Sequence, residues 1–325
     1  MKRREFITLI GGAAAWPLTA RAQQPMPVVG FLASQSLGPS SHLVAGFRRG
    51  LRETGFVEGR NITIEYRSAE GNYDQLAALA TDLVRRQVTV IVTVGGETSA
   101  TAAKAATTTI PIVFNVGTDP VKTGLVASVA RPGGNATGVN LVTNELGEKR
   151  LGLLRDLVPA ASNIAALLNP NFAPAVVNAK ETEAAARAVG KKVVIFEASS
   201  DAEIETAFGK IVQAQLKALL VGADPFFNSR RGLIVALAAR HAIPAIYEFR
   251  EFAESGGLIS YGTNLVEAYH QQGIYAGRIL KGSKPADLPV VQLSKFELVV
   301  NLNTARAVGL EIPQSLLALA DEVIE

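Results

Sequence analysis

The sequence predicts an α/β protein with two doubly wound lobes, each built on a parallel sheet. From residue 28 onward, short β-branched runs alternate with stretches whose apolar residues recur at helical spacing, and the alternation occurs in two successive sets. Strands that alternate with helices form parallel sheets covered by helices on both faces. The chain has 325 residues, more than one compact core usually contains, so two lobes are expected.

The first set of strand-like runs precedes Gly138, and the second set follows it. The predicted strands of the first set are 28–33, 61–66, 88–94 and 110–115. Those of the second set are 163–168, 192–198, 217–222 and 243–248. Gly55 is placed to end the first helix. Ser200 or Asp201 can cap a later helix, and Glu203 lies at capping-box spacing from Ser200.

One segment of each set resembles the other. Residues 90–114 and residues 218–247 both read as a strand, a polar loop, an alanine-rich helix and an Ile-Pro pair that leads into the next strand. This similarity favours two related lobes that arose by duplication. The alternative is that two segments of any α/β chain resemble each other by chance.

Residues 1–22 have the three-part build of an export signal. A basic start at Lys2, Arg3 and Arg4 precedes a short apolar run and a small-residue ending at 20–22, so cleavage is expected before Gln23. The Arg3-Arg4 pair also resembles a twin-arginine signal, and the general secretory route is the alternative. No run in the sequence reaches the ~18 apolar residues of a membrane span. We therefore predict a periplasmic protein without a membrane span after signal removal.

The composition excludes several classes of function. The leader holds four of the 32 basic residues and one of the 29 acidic residues, so the full-chain net charge of +3 disappears with it. A neutral chain without a basic patch is not expected to bind nucleic acid. The chain has no cysteine, which excludes a disulfide framework, a thiolate metal site and a lipid-carrying cysteine after the leader.

The motifs of common enzymes and cofactor sites are absent from the sequence. No G-x-G-x-x-G opens a helix, no G-x-S-x-G elbow occurs, and the three histidines do not share a metal-ligand spacing. The glycine-rich stretch 131–138 lacks the Lys-Ser/Thr of a phosphate-binding loop, and we interpret it as the approach to a hinge. We expect no cofactor and no catalysis, although acid–base chemistry by plain carboxylates has no motif that could exclude it.

Polar loops at the carboxyl ends of the predicted strands supply the candidate binding residues, because ligands of doubly wound sheets bind there. A helix start at Thr98 and Ser99 would attract a carboxylate, and Asp224 would pair with an ammonium group. Aromatic residues such as Phe226 and Tyr247 would flank an apolar or aromatic ligand. For each of these residues, capping or turn formation is the alternative role. The strand-end candidates are Ser34, Gln35, Gly96, Thr98, Ser99, Thr118, Asp119, Asn169, Asp224, Phe226 and Tyr247.

Four stretches of the sequence resemble the tryptophan/tyrosine-type substrate-binding proteins of ABC importers, which are related to the branched-chain amino-acid binders. They are GFVEGRNITIEYRSAEGNYDQL, TDPVKTGLVASVARPGGNATG, EKRLGLLRDLVP and GGLISYGTN. The resemblance implies a periplasmic binding protein of type I, a Venus-flytrap whose lobes are joined by three crossings. The crossings would lie near 138–140, 261–263 and 294–296, where Asn140 and Tyr261 complete the candidate site.

The resemblance also implies the boundaries of the lobes and the partners. Lobe 1 would comprise residues 27–139 and 262–294, and lobe 2 would comprise residues 140–261 and 295–325. A monomer would close on a small carboxylate-bearing ligand, an amino acid with an aromatic side chain favoured, and present it to a permease and an ATPase on other chains. The alternatives are a ligand sensor for a membrane receptor and an exported enzyme on the same fold.

Overall fold

The computed structural model describes residues 26–188 and 190–325, which form two α/β lobes. The predicted export signal lies outside the described residues. Lobe 1 is built on a six-stranded sheet and lobe 2 on a seven-stranded sheet. No helix in the described ranges is long and apolar enough to cross a membrane.

The chain first builds most of lobe 1. Its elements are β1 (Val28–Ala33), α1 (Ser41–Glu53), β2 (Thr63–Ser68), α2 (Leu76–Arg85), β3 (Val90–Val94), α3 (Glu97–Ala106), β4 (Ile112–Val116) and β5 (Ala136–Asn140). A short 3₁₀ turn at Tyr73–Gln75 precedes α2. The strands run in the order β2-β1-β3-β4-β5, all parallel.

The chain then builds most of lobe 2. Its elements are α4 (Gly147–Leu157), β6 (Asn163–Leu168), α5 (Ala173–Ala188), β7 (Lys192–Glu197), α6 (Asp201–Gln213), β8 (Leu219–Val221), α7 (Pro225–Ser229), α8 (Arg231–Arg240), β9 (Ala245–Tyr247), α9 (Arg250–Glu254) and β10 (Ile259–Thr263). The strand order β7-β6-β8-β9-β10 repeats that of lobe 1. The side chain of Ser200 accepts from the amide of Glu203 at 3.3 Å, which confirms Ser200 as the cap of α6.

After β10 the chain crosses between the lobes twice more. After β10, α10 (Leu265–Leu280) packs on α1, and β11 (Val291–Gln292) joins the first sheet beside β5. The chain then returns to the second sheet with β12 (Phe296–Asn301), α11 (Leu302–Ala307), α12 (Gln314–Leu317) and β13 (Glu322–Ile324). The lobes are therefore connected three times: after β5, after β10 and after β11.

Each lobe has its own apolar core. In lobe 1, Phe31 and Phe47 are fully buried between the sheet and α1, and buried Gln272 of α10 donates to the carbonyl oxygens of Thr93 and Val113. In lobe 2, Phe208 and Phe227 are fully buried. Burying one such ring stabilises the folded chain by roughly 1.5–3 kcal/mol. The two cores make each lobe a rigid wall for anything bound between them.

The strand order determines where a ligand can enter each lobe. In both sheets the order reverses beside the first strand, between β1 and β3 in lobe 1 and between β6 and β8 in lobe 2. The connections on either side of such a point leave in opposite directions and open a crevice at the carboxyl ends of the strands. The two crevices face each other across the interlobe cleft.

Candidate ligand-binding site

A cavity lies between the lobes at the carboxyl ends of the strands. Its walls come from both lobes and are lined by Gln35, Gly95, Gly96, Glu97, Asn115, Gly117, Leu141, Thr143, Phe172, Ala223, Asp224, Pro225, Asn228, Glu248, Phe249, Leu265 and Tyr269. Most of these residues lie within three residues of the carboxyl end of a strand. The mixture of a few polar groups with aromatic and aliphatic surface is typical of a small-molecule site.

The start of α3 forms the wall of lobe 1 between β1 and β3. Gly96 occupies the N-cap with φ of +81°, a left-handed conformation that glycine adopts without strain. Since glycine has no side chain, it cannot accept a hydrogen bond from the free amides of the first turn of α3. These amides and the positive end of the helix dipole favour an anionic group at this point.

Glu97 adds a carboxylate to the same wall, but its charge is engaged by the main chain. Its Oε1 accepts from the amides of Gly117 at 2.9 Å and Thr118 at 2.6 Å. These bonds join the end of β3 to the end of β4. The positive ends of these two amide dipoles lie against the Glu97 carboxylate and offset part of its negative charge.

Two side chains connect the end of β1 to α10 on the lobe 1 side. Gln35 donates from Nε2 to the hydroxyl of Tyr269 at 2.9 Å, and both residues line the cavity. Ser34, which is fully buried behind Gln35, donates to the carbonyl oxygen of Gly95 at 2.7 Å. Gln35 is therefore held in position, and its partner Tyr269 presents an aromatic ring to the cavity.

Asp224 is the central acid of the lobe 2 wall. It is 5% exposed and caps α7, with Oδ1 accepting from the amide of Phe227 at 3.0 Å. Its Oδ2 accepts from the side chain of Asn169 at 3.2 Å and from the hydroxyl of Tyr73 at 3.0 Å. Burial raises the pKa of Asp224 to about 6, and these hydrogen bonds oppose the rise.

Glu248 follows β9 and places a second acid on the lobe 2 wall. It is 4% exposed, and burial raises its pKa to about 7, although the neighbouring Arg150 and Thr143 oppose the rise. Arg150 is itself buried and makes long contacts of 3.4 and 3.5 Å with the carbonyl oxygens of Thr143 and Tyr261. The walls thus hold three buried carboxylates with one buried guanidinium nearby, so a cationic group on the ligand would be favoured.

Three of the predicted site residues line the cavity: Gln35, Gly96 and Asp224. Three others lie directly behind the wall with their side chains bonded to nearby groups, namely Ser34, Ser99 and Asn169. The hydroxyl of Ser99 donates to the carbonyl oxygens of Val94 at 2.9 Å and Gly96 at 3.0 Å. Its side chain therefore stabilises the junction between β3 and α3.

The remaining candidates lie elsewhere. The hydroxyls of Thr98 and Thr118 are buried without a hydrogen-bond partner among the described residues, while the side chains of Asp119 and Asn140 accept from the main chain of the turns that follow them. Tyr247 stacks on Phe252 in the core of lobe 2, with ring centroids 4.6 Å apart. Phe226 packs in the same core, and Tyr261 lies in β10 against Phe296.

Several cavity residues were not among the candidates. Asn115 lies inside β4, and Thr143 follows the connection after β5. Phe172 directly precedes α5, and Asn228 lies inside α7. Glu97 and Glu248 belong to strand-end loops that the sequence indicated, so their position was an available signal. Tyr269 comes from α10, which carries no strand-end signal at all. In the described parts of the chain, no cluster of His, Cys, Asp or Glu could hold a metal ion.

Comparison with protein families gives one match over nearly the whole described chain. The family described as ABC transporter substrate binding protein matches residues 28–324. Proteins of this family bind solutes outside the cytoplasm and are not enzymes. A curated relative, the tyrosine-binding protein of Clostridioides difficile (strain R20291), is 27% identical over 266 residues, which cover 82% of this chain and 76% of the relative.

Two crystal structures share the arrangement of the lobes. A conserved domain protein from Vibrio cholerae O1 biovar El Tor is 27% identical with a TM-score of 0.82, and the match covers 92% of this chain and 99% of that one. An ABC domain in complex with L-Trp from Streptococcus pneumoniae is 26% identical with a TM-score of 0.81 and the same coverage. The predicted fold class, two parallel-sheet lobes of the periplasmic-binding-protein type I kind, is confirmed.

Proposed function

This chain belongs to the ABC transporter substrate-binding protein family, and we propose that it captures a free amino acid between its lobes for an importer. The ligand would carry both charges of an α-amino acid, with an aromatic side chain preferred. The observation that carries this proposal is the electrical contrast of the two cavity walls. Lobe 1 presents free helix amides at Gly96, whereas lobe 2 presents the buried acids Asp224 and Glu248.

This contrast between the walls suggests which end of the ligand lies against which lobe. The ligand's carboxylate would lie at the start of α3, where amides and the helix dipole stabilise negative charge. Its ammonium group would lie against Asp224, whose pKa of about 6 leaves it mostly ionised at neutral pH. A charge-assisted hydrogen bond of this kind contributes roughly 1.5–3 kcal/mol.

The apolar part of the cavity supports an aromatic or large aliphatic side chain. Phe172, Phe249, Leu265 and Tyr269 line it together with Leu141. Aromatic pairs prefer tilted or offset contacts, which rings on different walls can offer to an aromatic ligand. Two relatives support the same class of ligand, since one is named a tyrosine-binding protein and another was crystallised with L-Trp.

Transport would proceed by hinge closure. The three connections between the lobes can bend while each core stays rigid, and a ligand that contacts both walls raises the closed population by its differential affinity for that state. The closed protein would then deliver its ligand to a permease and an ATPase on other chains. We place this step in the periplasm, after export through the leader by the general secretory or the twin-arginine route.

The test is a binding panel with the ligand-free protein. We expect L-tyrosine, L-tryptophan or L-leucine to raise the unfolding temperature by several degrees, since a ligand at 100 times its Kd stabilises by about 2.7 kcal/mol. For the best of the three, the amine that lacks the carboxylate and the acid that lacks the amino group should each bind at least about tenfold more weakly. Equal binding of either analogue would contradict the assignment of the two walls.

The importer role needs a separate measurement. In cells that lack the gene, uptake of the radiolabelled amino acid should fall and should be restored by the wild-type protein. Restoration should be weaker at low amino-acid concentration with a variant of lowered affinity, such as Asp224→Asn. Unchanged uptake would instead indicate a sensing role, while recovery of an altered ligand after incubation would indicate an enzyme.

A further inference from the structure

The turn at residues 70–73, here called the closure turn, reaches from lobe 1 to lobe 2. It follows β2 and precedes α2, and it belongs to the stretch GFVEGRNITIEYRSAEGNYDQL, one of the four that carry the family resemblance. Tyr73 lies in this turn, partly buried, with its ring 6.1 Å from that of Phe172 in lobe 2. The turn does not line the cavity itself, but Tyr73 contacts Asp224 and Phe172, which do.

The hydroxyl of Tyr73 makes two hydrogen bonds, both with lobe 2. It donates to Oδ2 of Asp224 at 3.0 Å and accepts from the amide of Phe226 at 3.3 Å. One hydroxyl therefore contacts both the acid of the cavity wall and the first turn of the helix that this acid caps. The other side-chain contact of the same Oδ2 comes from Asn169, which belongs to lobe 2 itself.

Gly71 lets the closure turn approach lobe 2 closely. Its φ is +90°, and a Cβ at this position would lie 2.8 Å from Cδ2 of Phe226. A side chain here would thus be strained by the backbone and would press on the facing ring. The absence of a side chain at residue 71 therefore suits the close approach of this turn to Phe226 in lobe 2.

We propose that Tyr73 is a positioning residue for ligand capture: its hydroxyl fixes the Asp224 carboxylate only when the lobes are in contact. The proposal rests on the proposed function, in which Asp224 pairs with the ligand's ammonium group. Closure then does two things at once, because it covers the ligand and completes the hydrogen bonds of the acid that holds it. Opening removes one partner from Asp224 and loosens the ligand.

The first test compares Tyr73→Phe with Tyr66→Phe. Phenylalanine keeps the ring packing at both positions, and the hydroxyl of Tyr66 contacts Arg48 and Glu58 within lobe 1, away from the cleft. We expect Tyr73→Phe to release L-tyrosine about fivefold to tenfold faster in stopped-flow measurements, as the net contribution of a typical intramolecular hydrogen bond implies. Tyr66→Phe should release it at the wild-type rate.

A double-mutant cycle separates positioning from a general structural effect. If Tyr73 acts through Asp224, the substitution Tyr73→Phe should change L-tyrosine affinity less than about twofold in an Asp224→Ala background, where residue 224 has no side-chain acceptor. An undiminished effect in that background would overturn the proposal. The cycle also shows whether Asp224 matters for binding by itself, so failure of the proposed function would be visible separately.

Closure is measured directly with a spin-label pair. The chain has no cysteine, so Ala78→Cys in α2 and Glu205→Cys in α6, both exposed, can be labelled selectively. With and without L-tyrosine, Tyr73→Phe and Gly71→Ala should shift the distance distribution toward longer separations, whereas Tyr66→Phe should not. Identical distance distributions in all variants would overturn the proposal. This outcome does not depend on amino-acid binding, so it can be distinguished from a failure of the proposed function.

Discussion

The two lobes share one topology but differ in the group that caps equivalent helices: glycine in lobe 1 and a carboxylate in lobe 2. In both sheets the helix after the third strand begins at the edge of the cavity: α3 after β3 in lobe 1 and α7 after β8 in lobe 2. The N-cap of α3 is Gly96, which leaves the first amides free, whereas the N-cap of α7 is Asp224, which covers them with a carboxylate. The residue at the cap thus decides whether the helix start presents free amides or a carboxylate to the cavity.

The acids of the two lobes differ in the same sense. Glu97 in lobe 1 accepts two main-chain amides through one oxygen, whereas Glu248 in lobe 2 lies buried beside Arg150 with its pKa raised to about 7. The two amides thus compensate Glu97 within its own lobe, whereas burial disfavours the charged form of Glu248, which a cationic group beside it would stabilise. Two lobes with the same strand order can therefore present different groups at equivalent places of the cavity.

Asp224→Asn is the substitution that should reduce the difference between the two walls most. The substitution keeps an acceptor for the amide of Phe227 and removes the charge. We expect the affinity for L-tyrosine to fall about tenfold to 150-fold, the equivalent of roughly 1.5–3 kcal/mol for a hydrogen bond between charged groups. Isothermal titration calorimetry measures the loss.

The matched control is Asp119→Asn in lobe 1. This acid also follows a strand, but its side chain accepts from the amides of Val121 and Lys122 in a turn outside the cavity lining. The affinity of Asp119→Asn for L-tyrosine should stay within about twofold of wild type. A comparable loss in both variants would mean that the walls do not differ in the way described.

The pH dependence of binding sharpens the contrast. An ammonium ligand needs ionised acids on the lobe 2 wall, where burial raises the pKa of Asp224 to about 6 and that of Glu248 to about 7. We expect L-tyrosine to bind about tenfold more weakly at about pH 5 than at about pH 8, because binding must then displace a proton. Titration in buffers of different ionisation enthalpy would report that proton release, and a flat profile would contradict it.

The stability of the ligand-free protein should depend on pH in the opposite sense. A raised carboxyl pKa means that the folded state holds its proton more tightly than the unfolded state does. The contribution of Glu248 is therefore fully present below its ordinary value of 4.5 and is lost as the pH rises toward about 7. Relative to wild type, Glu248→Gln should gain stability between those limits in thermal unfolding, and a constant difference would show that Glu248 does not titrate there.

Much of the fold could be predicted because buried strands form short apolar, β-branched runs that can be recognised in the sequence. β1 and β6 have the predicted bounds, 28–33 and 163–168. β2 lies two residues later than predicted, at 63–68, because its register pairs Thr63 with Val28. The family resemblance, which drew on motifs along the whole chain, is confirmed.

β5 could not be predicted, because its residues ATGVN contain no apolar run. It is buried between β4 and β11, and its small residues fit tight packing rather than a hydrophobic pattern. A Cβ at Gly138 would lie 2.1 Å from the carbonyl oxygen of Phe114. Close packing of this kind depends on neighbours that are distant in sequence, so local patterns do not reveal it.

The candidate site was predictable in position but not in the direction of its side chains. Strand ends identified Gln35, Gly96 and Asp224, which line the cavity. The same signal indicated Ser34 and Tyr247, whose side chains point to the main chain and to the lobe 2 core. Direction depends on which neighbour offers a hydrogen bond or a packing surface, and that neighbour comes from another element.

The smallest expected effect concerns Ser99, which tests whether the lobe 1 wall acts through its main chain. The hydroxyl of Ser99 donates to the carbonyl oxygens of Val94 and Gly96, so Ser99→Ala should lower the free energy of unfolding by about 1 kcal/mol in urea. The affinity for L-tyrosine should change less than about threefold, because the amides at the start of α3 remain in place. A larger loss than in Asp224→Asn would reverse the assignment, since a hydroxyl in lobe 1 would then outweigh the acid of lobe 2.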